Sequence, residues 1–167
     1  HAAGRMRDRS PSRLASDQRP HVRIEIRPRN PLAAGSHVAI GPHCTFGDDV
    51  DIVCPDGFVL GGCSYLGAGV RIRCWRLQTG DNLYWEERVE VGRGGAQQTA
   101  EAVVSIGRAT FCGAGVVINP AAPVTIGDEV GIGAGVGIWT HGAWGSVALG
   151  FPRKLAPVAI GDRVWLT

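Results

Sequence analysis

A period of six constrains this chain more than any other feature. From Ile40 onward an aliphatic residue is followed by Gly or another small residue, two free positions, a small or β-branched residue and one free position. Ile40-Gly41-x-x-Cys44 runs into Phe46-Gly47-x-x-Val50 and Ile52, and Leu60-Gly61-x-x-Ser64 runs into Leu66-Gly67-x-x-Val70 and Ile72. The pattern returns at Ile106-Gly107-x-x-Thr110, Cys112-Gly113-x-x-Val116 and Ile118. It repeats at Ile126-Gly127-x-x-Val130, Ile132-Gly133-x-x-Val136 and Ile138, and again at Ile160-Gly161-x-x-Val164 and Leu166.

Six matches neither the 3.6-residue turn of a helix nor the alternation of a hairpin meander. It is the signature of a parallel β-helix, in which three hexads make one triangular coil. Side chains alternate across a strand, so the aliphatic residue and the residue two positions before it both face inward. The Gly next to it suits a corner, either through a left-handed backbone or through tight clearance. Ile40 to Leu60 and Ile106 to Ile126 each span 20 residues, which is three hexads with two extra at one corner. A lone coil cannot bury its aliphatic face, so stability must come from stacking.

Two stretches depart from the pattern. Between residues 73 and 105, Leu77, Leu83 and Val89 keep the spacing without the Gly, and Gly92 to Ala102 reads as a loop. Trp139 to Ala159 leaves the repeat altogether. The expected fold class is therefore all-β, a parallel β-helix over residues 31–167 with an extended loop at about 139–159. The 25 glycines among 167 residues agree with a chain of many tight corners.

Residues 1–30 hold eight Arg against Asp8, Asp17 and Glu25, a net charge of +5, and read as a basic, loosely ordered arm. No aromatic side chain is interleaved with these arginines, which argues against nucleic acid as a partner. Within the arm, Val22, Ile24 and Ile26 alternate and suit a strand at the start of the domain. No stretch approaches the roughly 20 apolar residues of a membrane helix. Five cysteines without a CxxC pair fit buried thiols in a reducing compartment, the cytoplasm, better than a disulfide framework. Cys54 and Cys74, 20 residues apart, are expected to be stacked neighbours on successive coils.

Over about residues 36–167 the sequence resembles the hexapeptide-repeat acyltransferases. The resemblance is carried by Val124-Thr125-Ile126-Gly127-Asp128, then Ile132-Gly133, then Thr140-His141-Gly142. After a loop comes Ala156-Pro157-Val158-Ala159-Ile160-Gly161-Asp162-Arg163-Val164-Trp165-Leu166. It implies left-handed coils, a homotrimer with active sites between subunits, and acetyl transfer from acetyl-CoA to a hydroxyl of a sugar, polysaccharide or related small molecule. His141 would be the general base, since a neutral imidazole takes a hydroxyl proton near neutral pH. The plainer reading of His141 is a loop histidine in a polar turn.

Asn119, Trp139, Trp144 and Trp165 are the candidate substrate-binding residues. Asn119 would hold either the acceptor or the His141 loop, or is simply a left-handed corner before Pro120. Trp139 and Trp144 bracket His141 and either wall the site or pack the loop. Arg153 and Lys154 are candidates for the phosphates of coenzyme A, or are solvated surface cations. No metal is expected: the γ-class carbonic anhydrases, which share this fold, need a pair of His five apart that this chain lacks. The repeat stops at Thr167, where the pattern places Gly, so further coils or a second chain are expected to cover that end. The competing reading, from a different functional class, is a non-catalytic β-helix that serves as an assembly scaffold.

Overall fold

A computed structural model describes residues 22–25, 37–93, 99–143, 145–150 and 153–167. The chain winds into a three-sided prism, a parallel β-helix. Sheet A stacks β1 (Val22–Glu25), β4 (Val50–Val53), β7 (Arg71–Arg73), β10 (Glu90–Val91), β13 (Val117–Asn119) and β16 (Gly137–Trp139). Sheet B stacks β2 (His37–Ile40), β5 (Gly57–Leu60), β8 (Arg76–Thr79), β11 (Val103–Ile106), β14 (Val124–Ile126) and β19 (Val158–Ile160). Sheet C stacks β3 (Thr45–Phe46), β6 (Tyr65–Leu66), β9 (Tyr84–Trp85), β12 (Phe111–Cys112), β15 (Gly131–Ile132) and β20 (Trp165–Leu166). Every pairing within the three sheets is parallel and joins like positions of successive coils. The first strand lies inside the stretch assigned to the arm, and pairs Val22 with Val50 and Ile24 with Ile52. The rest of residues 1–30 falls outside the described residues.

The inward columns are those the hexads specify. Ile52, Ile72, Val91, Ile118 and Ile138 line sheet A, while Leu66, Trp85, Cys112 and Ile132 line sheet C, all buried. Each such side chain contributes on the order of 1.5–3 kcal/mol when fully enclosed. In the weak stretch the frame is offset by two from the one Leu77, Leu83 and Val89 suggest. Those three are the inward residues that precede the hexad apex, and the apex positions are Thr79, Trp85 and Val91, all buried. Gly80 and Gly92 follow two of them and Glu86 the third, so the Gly is missing only after Trp85; a Thr and a Trp in place of an aliphatic residue concealed the frame. Buried Thr79 satisfies its hydroxyl by accepting from the Gly61 N–H at 3.1 Å.

Except at Gly92, whose φ is 83°, the corner glycines between stacked coils answer to clearance, not to left-handed backbone. A Cβ at Gly61 would stand 2.1 Å from the Gly80 carbonyl oxygen of the next coil. The left-handed residue comes two positions later and is rarely Gly at the corner between sheets B and C, where His43, Cys63, Asn82, Ala109, Glu129 and Arg163 all have φ between 52° and 60°. The Asp that follows Gly in several hexads also acquires a reason. Asp162 Oδ1 accepts from the Asp128 N–H at 2.8 Å, and Asp128 Oδ1 accepts from the Arg108 N–H at 2.9 Å. Each coil thus caps a backbone donor of the coil before it, in place of water.

Cys54 and Cys74 do stack, with sulfurs 3.9 Å apart as free thiols. The Cys54 contact, together with burial, holds the Cys74 thiol well above its usual pKa. Burial pushes Cys112 the same way. Thiols so protonated are poor nucleophiles.

Candidate functional site

All departures from the six-residue step fall at one corner, between sheets A and B. There the chain takes 8 residues from Ile52 to Leu60, 7 from Ile72 to Thr79, 15 from Val91 to Ile106, 8 from Ile118 to Ile126 and 22 from Ile138 to Ile160. The last excursion is the expected extended loop, and part of it is regular. After Trp139 and Thr140 the chain forms β17 (His141–Ala143), passes a short 3₁₀ turn at Val147–Leu149, and returns as β18 (Arg153–Leu155). The two strands pair antiparallel, His141 opposite Leu155 and Gly142 opposite Lys154.

Thr140 roots this ribbon. It is buried, its hydroxyl accepts from the Ala121 and Ala122 N–H groups at 2.6 and 3.0 Å, and it donates to the Asn119 carbonyl at 3.1 Å. The Ala156 N–H in turn donates to the Thr140 carbonyl at 2.9 Å. Thr140→Val keeps the shape and leaves these buried groups unpaired. It should cost about 2 kcal/mol in chemical denaturation, with Thr140→Ser restoring most of the loss.

Asn119 is the second root. Its side chain is 2% exposed and its Oδ1 accepts from the Arg93 N–H at 3.2 Å, so it ties the base of the shorter excursion, while its carbonyl ties Thr140 in the longer one. Its side chain thus ties the Arg93 segment, and only its backbone carbonyl reaches the His141 loop. Its enclosed side chain offers no surface to an acceptor, and its φ is not left-handed. Thr140 and its clamp were missed from the sequence. Their one signal was a small hydroxyl at the position where the repeat breaks off.

His141 stands half-buried beside a cavity of about 160 Å³, whose walls include Trp139, Gly142, Lys154, Pro157 and Val158. Trp139 meets the imidazole edge-on, ring centroids 5.7 Å apart and planes at 70°. Nδ1 of His141 is enclosed and has no hydrogen-bond partner among the described residues. The structure therefore brings Trp139, His141 and Lys154 to one cavity. Lys154 is exposed across from Gly142, whose lack of a side chain leaves it uncovered. Of Arg153 only the backbone, paired with Ala143, is described. Trp144 lies outside the described residues.

Trp165 sits elsewhere. It is 64% exposed on the outer face of sheet C, the side of the prism opposite the A–B corner. Its indole stacks on Phe111 at 6.0 Å and 8°, across the space left by Gly131. Phe111 stacks on Tyr84, and Tyr84 on Tyr65, so four rings form a ladder down that face.

Among the described residues no group of three or more His, Cys, Asp or Glu is placed to hold a metal ion, and no helix is long and apolar enough to cross a membrane. No family model, curated protein or solved structure matches this chain. The site must be read from its own geometry.

Proposed function

We propose that the chain is a coenzyme-A-dependent O-acetyltransferase of the hexapeptide-repeat type, moving an acetyl group from acetyl-CoA to a hydroxyl of a sugar, polysaccharide or related small molecule. The observation that carries this reading is the placement of His141. Its imidazole is held out from the prism on a rooted ribbon, beside a cavity with an indole wall. In the proposed reaction His141 takes the acceptor's proton as the oxygen attacks the thioester carbonyl, and returns it to the departing thiolate. Trp139 offers an apolar surface to a sugar ring or the pantetheine arm. Lys154 would meet an anionic group of the bound donor or acceptor. Trp165, on the far face of the prism, would join a site only by facing a neighbouring subunit, as in the proposed homotrimer. The five free thiols suit a reducing compartment, and the proposed location is the cytoplasm.

The enclosed Nδ1 sets a condition on this chemistry. An N–H there without an acceptor costs about 1–3 kcal/mol. The neutral ring of the ligand-free protein should therefore carry its proton on Nε2, the wrong tautomer for a base that acts through that atom. Because Nδ1 is enclosed, an acceptor can meet it and correct the tautomer only if the ring or its cover moves on binding. Long-range ¹⁵N–¹H couplings of His141 report the tautomer directly, and the expected result without ligand is Nε2–H.

The test of the function is thioester turnover with a panel of free sugars, glycosides and polysaccharides. Acetyl-CoA consumption that depends on one acceptor class is expected. The ring ladder of Tyr65, Tyr84, Phe111 and Trp165 favours a second reading, an assembly protein that presents this face to a partner. Calorimetry separates the two: the scaffold reading expects no acetyl-CoA binding, even by a chain extended past Thr167.

A further inference from the structure

We infer that Gly137 is a positioning residue for the His141 site, because its missing side chain seats the Trp139 indole against the imidazole. Only its effect on the acceptor rests on the acetyltransferase reading; the geometry stands apart from it. Gly137 and Trp139 both face outward from β16, two positions apart on one face of the strand. The indole lies back over Gly137. A Cβ there would stand 2.6 Å from the indole Nε1 and 3.3 Å from Cδ1. Side-chain atoms do not approach so closely, and a fused ring yields only by turning away as a whole. The same indole meets His141 edge-on.

The imidazole needs such a neighbour. With Nδ1 enclosed and unpaired among the described residues, no hydrogen bond on that side fixes the ring's orientation. Packing must do so, and Trp139 is the aromatic ring in contact with it. Gly137 thereby acts through Trp139. It sets where the indole wall stands and how much room the cavity leaves beside the imidazole for an acceptor. The same device occurs on sheet C, where a Cβ at Gly131 would stand 1.9 Å from the Trp165 ring. There the seated indole lies away from the cavity, which makes Gly131 a control.

The test uses the protein labelled with 5-fluorotryptophan, its Trp139 resonance assigned by Trp139→Phe. In the parent, His141→Gln should shift the Trp139 ¹⁹F resonance and leave those of Trp75, Trp85 and Trp165 in place. In Gly137→Ala the Trp139 resonance should move and lose its response to His141→Gln, again with Trp75, Trp85 and Trp165 unchanged. Gly131→Ala should move Trp165 and not Trp139. A Trp139 resonance that still answers to His141→Gln in the Gly137→Ala protein overturns the inference. Should Gly137→Ala fail to fold, Trp139→Leu combined with Gly137→Ala decides. With the indole gone the new methyl has room, so the double variant must fold, and its failure overturns the inference equally. None of these readings depends on acetyl transfer.

Discussion

Replacing His141 with Ala will lower acetyl transfer by about 10²–10⁴-fold and leave the prism standing. His141 belongs to the β17–β18 ribbon, which shares no ladder with the three sheets, and the root of that ribbon is Thr140, not His141. The far-ultraviolet β signal and the melting temperature should therefore match the parent. The pairing of a large kinetic effect with an intact fold is what separates a base from a loop residue that happens to line a cavity. His141→Gln sharpens the comparison, since it preserves volume and a polar tip but cannot take up a proton at neutral pH. Its transfer rate should fall with that of the Ala variant. A rate within twofold of the parent in either variant removes His141 from the chemistry.

The second large effect is structural. Gly61→Ala should cost about 3 kcal/mol or more. The added methyl would stand 2.1 Å from the Gly80 carbonyl oxygen, 2.2 Å from its carbon and 2.5 Å from the Asp81 nitrogen, all backbone atoms of the adjoining coil. Backbone cannot turn away as a side chain can, so the two coils must part. They are held there by the Gly61 N–H to Thr79 and by the Gly62 N–H to Asp81 Oδ1 at 2.7 Å, and both bonds would stretch. Gly62→Ala is the matched control. It sits one position along the same turn, yet a Cβ there would stand 3.1 Å from its nearest neighbour, a Pro42 ring carbon, and the denaturant midpoint should fall far less. Equal losses in the two variants would show that backbone entropy, and not clearance between coils, governs this position.

The prism was legible because its grammar is local. Leu60, Leu66 and Ile72, and again Ile106, Cys112 and Ile118, announce an inward residue at every sixth position, and stacking leaves few other ways to bury them. The reading faltered at residues 73–105 for a chemical reason. Thr79 and Trp85 serve as apex residues, but a hydroxyl and an indole do not resemble Ile in a search for aliphatic periods. The hydroxyl of Thr79 is tolerated only because the next coil back supplies an N–H, a partner that no local window reveals. The corner glycines were half-legible, since clearance and left-handed backbone leave the same letter. Only the neighbouring coil distinguishes them.

The site divides along similar lines. His141, Trp139 and Lys154 stood out as chemistry placed where the repeat ends, and they do share one cavity. Asn119 could not be resolved from sequence because its partners, Arg93 and Thr140, come from excursions 26 and 21 residues away whose roots meet only after coiling. Gly137 drew no attention because the role of an absent side chain is written in the neighbour that occupies its space. Trp165 was drawn toward His141 by resemblance, while within one chain the two lie on different sides of the prism.

That every irregular length of chain leaves by the same edge has a practical consequence. Rung spacing is indifferent to what is spliced between Trp139 and Val158, provided Thr140 keeps its grip on the turn at Ala121 and Ala122. Lengthening such a segment twofold adds only about 0.6 kcal/mol of closure entropy. Foreign segments grafted at that port could be exchanged one for another on an unaltered shaft, and a change of substrate would then require no change in how the molecule folds.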